Sequence, residues 1–140
     1  MADDRRIERA RALFAAWSSG DLDAPGAHLT GDAVLYDVIG GEYAGWPAIR
    51  AYFEHGLLRY PDLRLEQTGD FWSRPDGLAL TWVMSATVTD DSFGAAAIGR
   101  VWRAEGMSYL VFRGDLVCRE ADYHDAGSRR RSLEPAAGAR

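Results

Sequence analysis

The sequence predicts a single α+β domain, with helices first and an antiparallel meander after them. Three observations carry that expectation. Apolar residues recur at helical spacing through the first sixty positions, four long strand-like runs separated by short turns follow Pro61, and 140 residues suffice for one sizeable core but not two.

Ile7, Ala10, Phe14 and Trp17 recur at spacings of three and four, which predicts a helix from Asp3 to Ser19 with one buried stripe. Ser18-Ser19-Gly20 stops it, and Asp21-Leu22-Asp23 opens a short second helical piece kept brief by Pro25 and Gly26. Residues 33–39 read as a strand closed by Gly40-Gly41. Pro47 suits the first turn of a third helix, whose apolar face is Ile49, Tyr52, Phe53 and Leu57. Residues 63–72, 78–89, 98–113 and 116–123 then form the meander. Gly106 interrupts the longest run and is expected to mark a bulge. In residues 78–88 one side is large and apolar (Leu78, Leu80, Trp82, Met84, Ala86, Val88), while the other is smaller (Thr81, Val83, Ser85, Thr87). Both sides read as buried, one lining a cavity and the other meeting a second subunit, so a homodimer is expected. Residues 127–140 lack apolar periodicity and are expected to be a disordered tail after a domain over 1–126.

Composition narrows the function. At 47% hydrophobic and 26% charged the chain is ordinary for a globular protein. Its formal charge of −5, with arginines spread along the chain, argues against nucleic acid as a partner. The single cysteine, Cys118, makes no internal disulfide, and the charged N-terminus is followed by no apolar run. A cytoplasmic location without membrane attachment is therefore expected. His28, His55 and His124 lack ligand-like spacing, so no metal is expected, and no phosphate-binding loop or cofactor motif is present.

The chemistry points to carboxylates set in apolar strands. Asp37 stands among Tyr36, Val38 and Ile39, and Asp122 follows Ala121 in a sheet run. Desolvation raises such carboxyl pKa values toward the range useful for proton transfer. The plainer alternatives are a turn-bonding role for Asp37 at Gly40-Gly41 and an ion pair of Asp122 with Arg100 or Arg119. Cys118, Glu120 and Asp122 share one face by strand alternation, which makes Glu120 a neighbouring acid. Tyr36 is positioned to orient a ligand oxygen, or to pack. Ser85 and Ser108 are candidate ligand contacts or small interior residues, and His55 is expected to be a solvated helix-end residue. Leu13, Trp17, Tyr52 and Phe53 are candidate pocket walls.

Gly20-Asp21-Leu22-Asp23, Asp32-Ala33-Val34 leading to Tyr36-Asp37-Val38-Ile39-Gly40, Gly45-x-x-Ala48-Ile49-Arg50, and Gly114-Asp115-Leu116-Val117 through Asp122-Tyr123-His124-Asp125 together resemble the nuclear transport factor 2-like superfamily. The resemblance spans about residues 5–126 and is nearest the SnoaL-like polyketide cyclase and ketosteroid isomerase-like branch. It implies a cone-shaped, cystatin-like fold, a curved antiparallel sheet with three N-terminal helices on its concave face. Asp37 falls at the proton-shuttling position of the isomerases, whose oxyanion-binding residues correspond to Leu13 and Ser108. Against the epoxide hydrolases of the superfamily, Tyr36 and Asp122 match, while the remaining charged pair falls on Val83 and Ser85. Asp122 also lies near the acid/base residue of the cyclases.

Residues and resemblance together imply a cofactor-independent acid/base enzyme, an isomerase, cyclase or related lyase of biosynthesis. Its substrate is a small hydrophobic carbonyl or polyketide-like compound. Asp37, Asp122 and Tyr36 are the catalytic candidates, and Leu13, Trp17, Tyr52, Phe53, Val83, Ser85, Ser108 and Glu120 the substrate-binding ones. The alternative is a non-catalytic ligand-binding or dimerisation module.

Overall fold

The computed structural model describes residues 2–134. Helix α1 runs Ala2–Trp17 and buries Ala10, Leu13, Phe14 and Trp17, the stripe set by its spacing. Gly20, at φ 75°, takes the left-handed conformation that ends it. Ser18 Oγ then accepts from the Leu65 amide at 2.9 Å, tying the end of α1 to the strand carrying Leu65. The short second piece, Ala24–His28, is a 3₁₀ turn, since Pro25 and Gly26 cannot extend it. Strand β1 covers Leu29–Asp37, β2 Gly41–Ala44, and α2 Trp46–Arg59. The meander is β3 Arg64–Arg74, β4 Gly77–Thr87, β5 Val101–Arg113 and β6 Leu116–His124.

The six strands form one sheet in the order β2-β1-β6-β5-β4-β3. It is mixed rather than antiparallel as expected, because β1 pairs parallel with β6. This long-range pairing joins the N-terminal strand to the last one, and no local pattern announces it. Helix α1 packs on β3 and β4, and α2 on β1 and β2. The third α-helix is not N-terminal: α3 spans Ser128–Ser132, packs on β5 and is followed by the buried Leu133. The stretch expected to be disordered is thus helical over these five residues, because Leu133 anchors it in the core; Pro135 to Arg140 lie outside the described residues.

Strand β4 explains the core. Leu78, Leu80, Trp82, Met84 and Ala86 are buried, whereas Thr81, Val83, Ser85 and Thr87 on the other face are only half-buried. The large apolar side is therefore used internally and is not the face available to a partner. Gly106 makes no bulge, as it stays in register between Trp82 and His124. A β-carbon there would stand 2.4 Å from the Trp82 ring, so glycine is needed for close approach. The shift in β5–β6 pairing comes instead between Val111 and Phe112, leaving Cys118 unpaired with β5 and out of the alternation expected with Glu120.

Candidate active site

Two adjacent strands place the acids. In the parallel β1–β6 pairing Asp37 stands beside Asp122 and Leu35 beside Glu120, all on the inner face. Alternation along β6 then puts Glu120, Asp122 and His124 in one row. These four chemical groups line a cavity of about 240 Å³ whose apolar wall includes Trp17, Phe53, Trp82 and Met84. Trp17 and Phe53 meet edge-to-face at 5.0 Å.

His124 Nε2 lies 3.1 and 3.2 Å from the two Asp37 oxygens. Asp37 Oδ1 also accepts from the amides of Ile39 at 2.8 Å and Gly40 at 3.0 Å. Asp37 thus both caps its turn and holds an imidazole. Burial raises its pKa, but the His124 hydrogen bond and the two amides together overcome that and hold it below the ordinary value. Among the described residues His124 Nδ1 has no protein hydrogen bond, so Asp37 orients the ring and leaves that nitrogen available.

Glu120 is 3% exposed, and its Oε1 accepts from Trp17 Nε1 at 3.0 Å. Its carboxyl hydrogen-bonds that of Asp122. A bond between two carboxyls requires a proton between them, so the pair carries at most one charge. Burial, then the Asp122 charge, pushes Glu120 well above the usual carboxylate range, so Glu120 keeps the proton. Asp122 is supported by Ser108, whose hydroxyl donates to Oδ1 at 2.5 Å while accepting from Trp82 Nε1 at 2.8 Å. Burial pushes Asp122 up to about 6, with the Glu120 and Ser108 hydrogen bonds restraining the rise. Neither Arg100 nor Arg119 is involved: Arg119 pairs with Glu42 at 3.2 Å, and among the described residues no arginine pairs with Asp37, Glu120 or Asp122.

The structure brings Asp37, Asp122, Glu120, Trp17, Tyr52 and Phe53 together at the cavity. The other sequence candidates stand elsewhere. Tyr36 points to the opposite face of β1, against Tyr123 at 5.9 Å and under Arg119. Val83 and Ser85 share that outer face on β4, because Trp82 and Met84 occupy the inner one. Leu13 is sealed in the core at 0% exposure and does not reach the cavity. Ser108 sits behind Asp122 as its donor and does not line the cavity. His55 is exposed, as expected, at the cavity rim. His124 is the main residue that the sequence reading missed, although extending the Glu120–Asp122 alternation by two positions reaches it. Among the described residues no group of three His, Cys, Asp or Glu is placed to hold a metal ion, and no helix is long and apolar enough to cross a membrane.

The family profile of the SnoaL-like domain matches residues 10–120. No curated protein matches the chain. Among solved structures, a proposed polyketide cyclase from Xanthomonas campestris superposes with a TM-score of 0.82 at 17% identity, covering 96% of this chain and 100% of its own. IdmH, a proposed polyketide cyclase from Streptomyces antibioticus, gives 0.79 at 17% identity, with 91% and 97% covered. A protein from Catenulispora acidiphila with a ketosteroid isomerase-like fold, solved with trimethylamine, gives 0.78 at 18% identity, with 93% and 95% covered. At such identities the likeness is one of fold. The family match over most of its length makes this chain a member of the SnoaL-like domain family.

Proposed function

We propose that the chain is an acid/base enzyme of the isomerase or cyclase kind, acting without a cofactor on a small hydrophobic carbonyl or polyketide-like compound. One observation carries this: three carboxyl groups and an imidazole converge on an apolar cavity, with Asp122 titrating near 6 and free of any arginine among the described residues. At neutral pH Asp122 is mostly ionised and acts as the base. It takes a proton from the carbon next to a carbonyl, and the C–H electron pair moves to the oxygen as an enolate. His124, whose Nε2–H is held by Asp37, donates to that oxygen from Nδ1 when the ring carries both protons. The enolate then regains a proton from Asp122 at another carbon, or attacks a second carbonyl to close a ring. Glu120 stays neutral and holds Asp122 in place. The helices and curved sheet would give the chamber its cone shape, and the Catenulispora neighbour, solved with a small organic molecule, is in keeping with a ligand-holding chamber. Two copies of the chain would pair through the outer face of the sheet, where Trp72, Val101, Met107 and Tyr123 are exposed.

The test is deuterium exchange at the α-carbon of a panel of cyclic enones and aryl β-diketones in D₂O, read by mass spectrometry. The wild type exchanges at least one member, and Asp122→Asn lowers that rate by about 10²–10⁴-fold. Asp37→Asn, which keeps an oxygen acceptor for His124 Nε2 but removes the carboxylate charge, abolishes turnover while leaving the fold intact. Exchange that persists in Asp122→Asn removes Asp122 as the base. Binding of the panel without exchange by the wild type reduces the cavity to a ligand-binding site.

A further inference from the structure

A second polar group lines the same cavity and takes no part in the proton chemistry. It comes from the end of α2 and from α3, whereas the acids come from β1 and β6. Tyr60 lines the cavity at 5% exposure, and its hydroxyl is buried with no hydrogen-bond partner among the described residues. The Trp102 ring meets it edge-on at 5.2 Å, and Trp102 Nε1 is likewise buried and unpartnered among the described residues. Arg129, also lining the cavity, lays its guanidinium 4.4 Å from the centre of the Trp102 ring and 5.8 Å from that of Tyr60.

The nearby arginines are engaged. Arg59 lies 3.7 Å from Asp90 and donates to Ser92 at 2.8 Å, Arg130 donates to the Ser92 carbonyl at 3.3 Å, and Arg131 pairs with Asp125. Arg129 has no carboxylate or hydrogen-bond partner among the described residues; it has only the two rings beneath it. Of the three donor groups in this corner, the Tyr60 hydroxyl and Trp102 Nε1 are buried and unpartnered among the described residues, and buried donors in native proteins are ordinarily satisfied. Guanidinium groups find their best acceptors in carboxylate and other anionic oxygens, and the aromatic platform pre-orders the fork.

The corner and the acids share one chamber. Tyr52 registers both: burial, then the charges of Asp37 and Asp122, push its hydroxyl pKa up, while Arg129 acts in the opposite sense. The charges of Asp37 and Asp122 repel an anion at the acid end of the chamber, so an acidic oxygen is accommodated only beside Arg129, the cation of the lining that no carboxylate among the described residues engages.

We infer that Tyr60 and Arg129 form an anion-recognition pole that selects ligands bearing an acidic oxygen, a carboxylate or a phenolate, at the end away from the reacting carbon. This rests on reading the cavity as a ligand site, but not on its being catalytic. The acidic oxygen would anchor at Arg129 with the apolar body on the Trp17, Phe53 and Trp82 wall.

Calorimetric titration of the full chain with 2-naphthoate, 2-naphthylmethanol and 2-naphthylmethylammonium tests it. The expected order is naphthoate tightest, by about tenfold over the alcohol, the size of one charge-assisted contact. Arg129→Gln removes that preference while leaving alcohol affinity within about threefold, Arg129→Lys restores part of it, and Tyr60→Phe weakens naphthoate selectively. Melting curves confirm that each variant is folded. Should Arg129→Gln or Tyr60→Phe fail to fold, Arg129→Lys against the wild type still carries the comparison. Equal binding of acid and alcohol, or tighter binding of the ammonium, overturns the anion pole alone. Failure of all three probes to bind the wild type at millimolar concentration overturns the cavity as a site for such ligands.

Discussion

Replacing Ser108 by alanine tests the electrostatic core of the site without touching its lining. The hydroxyl donates to Asp122 Oδ1 at 2.5 Å and is itself polarised by Trp82 Nε1 at 2.8 Å. A hydrogen bond to a charged group contributes about 1.5–3 kcal/mol. Ser108 is 0% exposed, so water does not replace the missing donor. At about 1.4 kcal/mol per pKa unit, the lost bond raises Asp122 by roughly one to two units from its value of about 6. Asp122→Asn identifies the resonance, and titration of the carboxyl carbon by NMR in wild type and Ser108→Ala gives the shift. The proton-transfer rate should follow, its lower pH limb moving up by the same amount. An Asp122 pKa in Ser108→Ala at or below the wild-type value would refute the assignment of Ser108 as the donor that restrains it.

Three further outcomes are expected. Gly106→Ala pushes a β-carbon to 2.4 Å from the buried Trp82 ring, so stability should fall by about 1–3 kcal/mol, read as a lower melting temperature; an unchanged melt would show that Trp82 relaxes freely. Glu120 has a folded pKa raised above its unfolded value, so its contribution to stability is complete below about pH 4 and lost as pH rises through the folded value. Glu120→Gln should therefore gain on the wild type by up to about 1.4 kcal/mol per pH unit above roughly pH 4.5, in urea unfolding at several pH values; a gap that shrinks with rising pH has the wrong sign. Sedimentation at tens of micromolar should give a dimer that Met107→Glu converts to monomer, and a monomeric wild type would remove the pairing through the outer face.

Much of the architecture was legible in local pattern. The stripe Ala10, Phe14, Trp17 and the alternation from Leu78 to Ala86 each read burial directly, because helix and strand periods are properties of consecutive residues. The carboxylates Asp37 and Asp122 stood out because acids are costly in apolar strands without a purpose. Strand alternation named Glu120 as their neighbour, and the same rule extended by two residues reaches His124.

What the sequence could not determine turns on which distant segments meet. The parallel pairing of β1 with β6 sets Asp37 beside Asp122 across 85 positions of chain, and the inner or outer sense of that pairing turns Tyr36 away from the cavity. Ser108 is an unremarkable small residue until β5 pairs with β6 and makes it the donor to Asp122. Arg129 sits in a stretch with no apolar period, and it is the burial of Leu133 beside it that lays its guanidinium over Trp102. Periodicity reports which face of an element is apolar. Only the closing of long loops, at an entropy cost repaid by burial across the whole core, decides which faces meet and therefore which side chains share a proton.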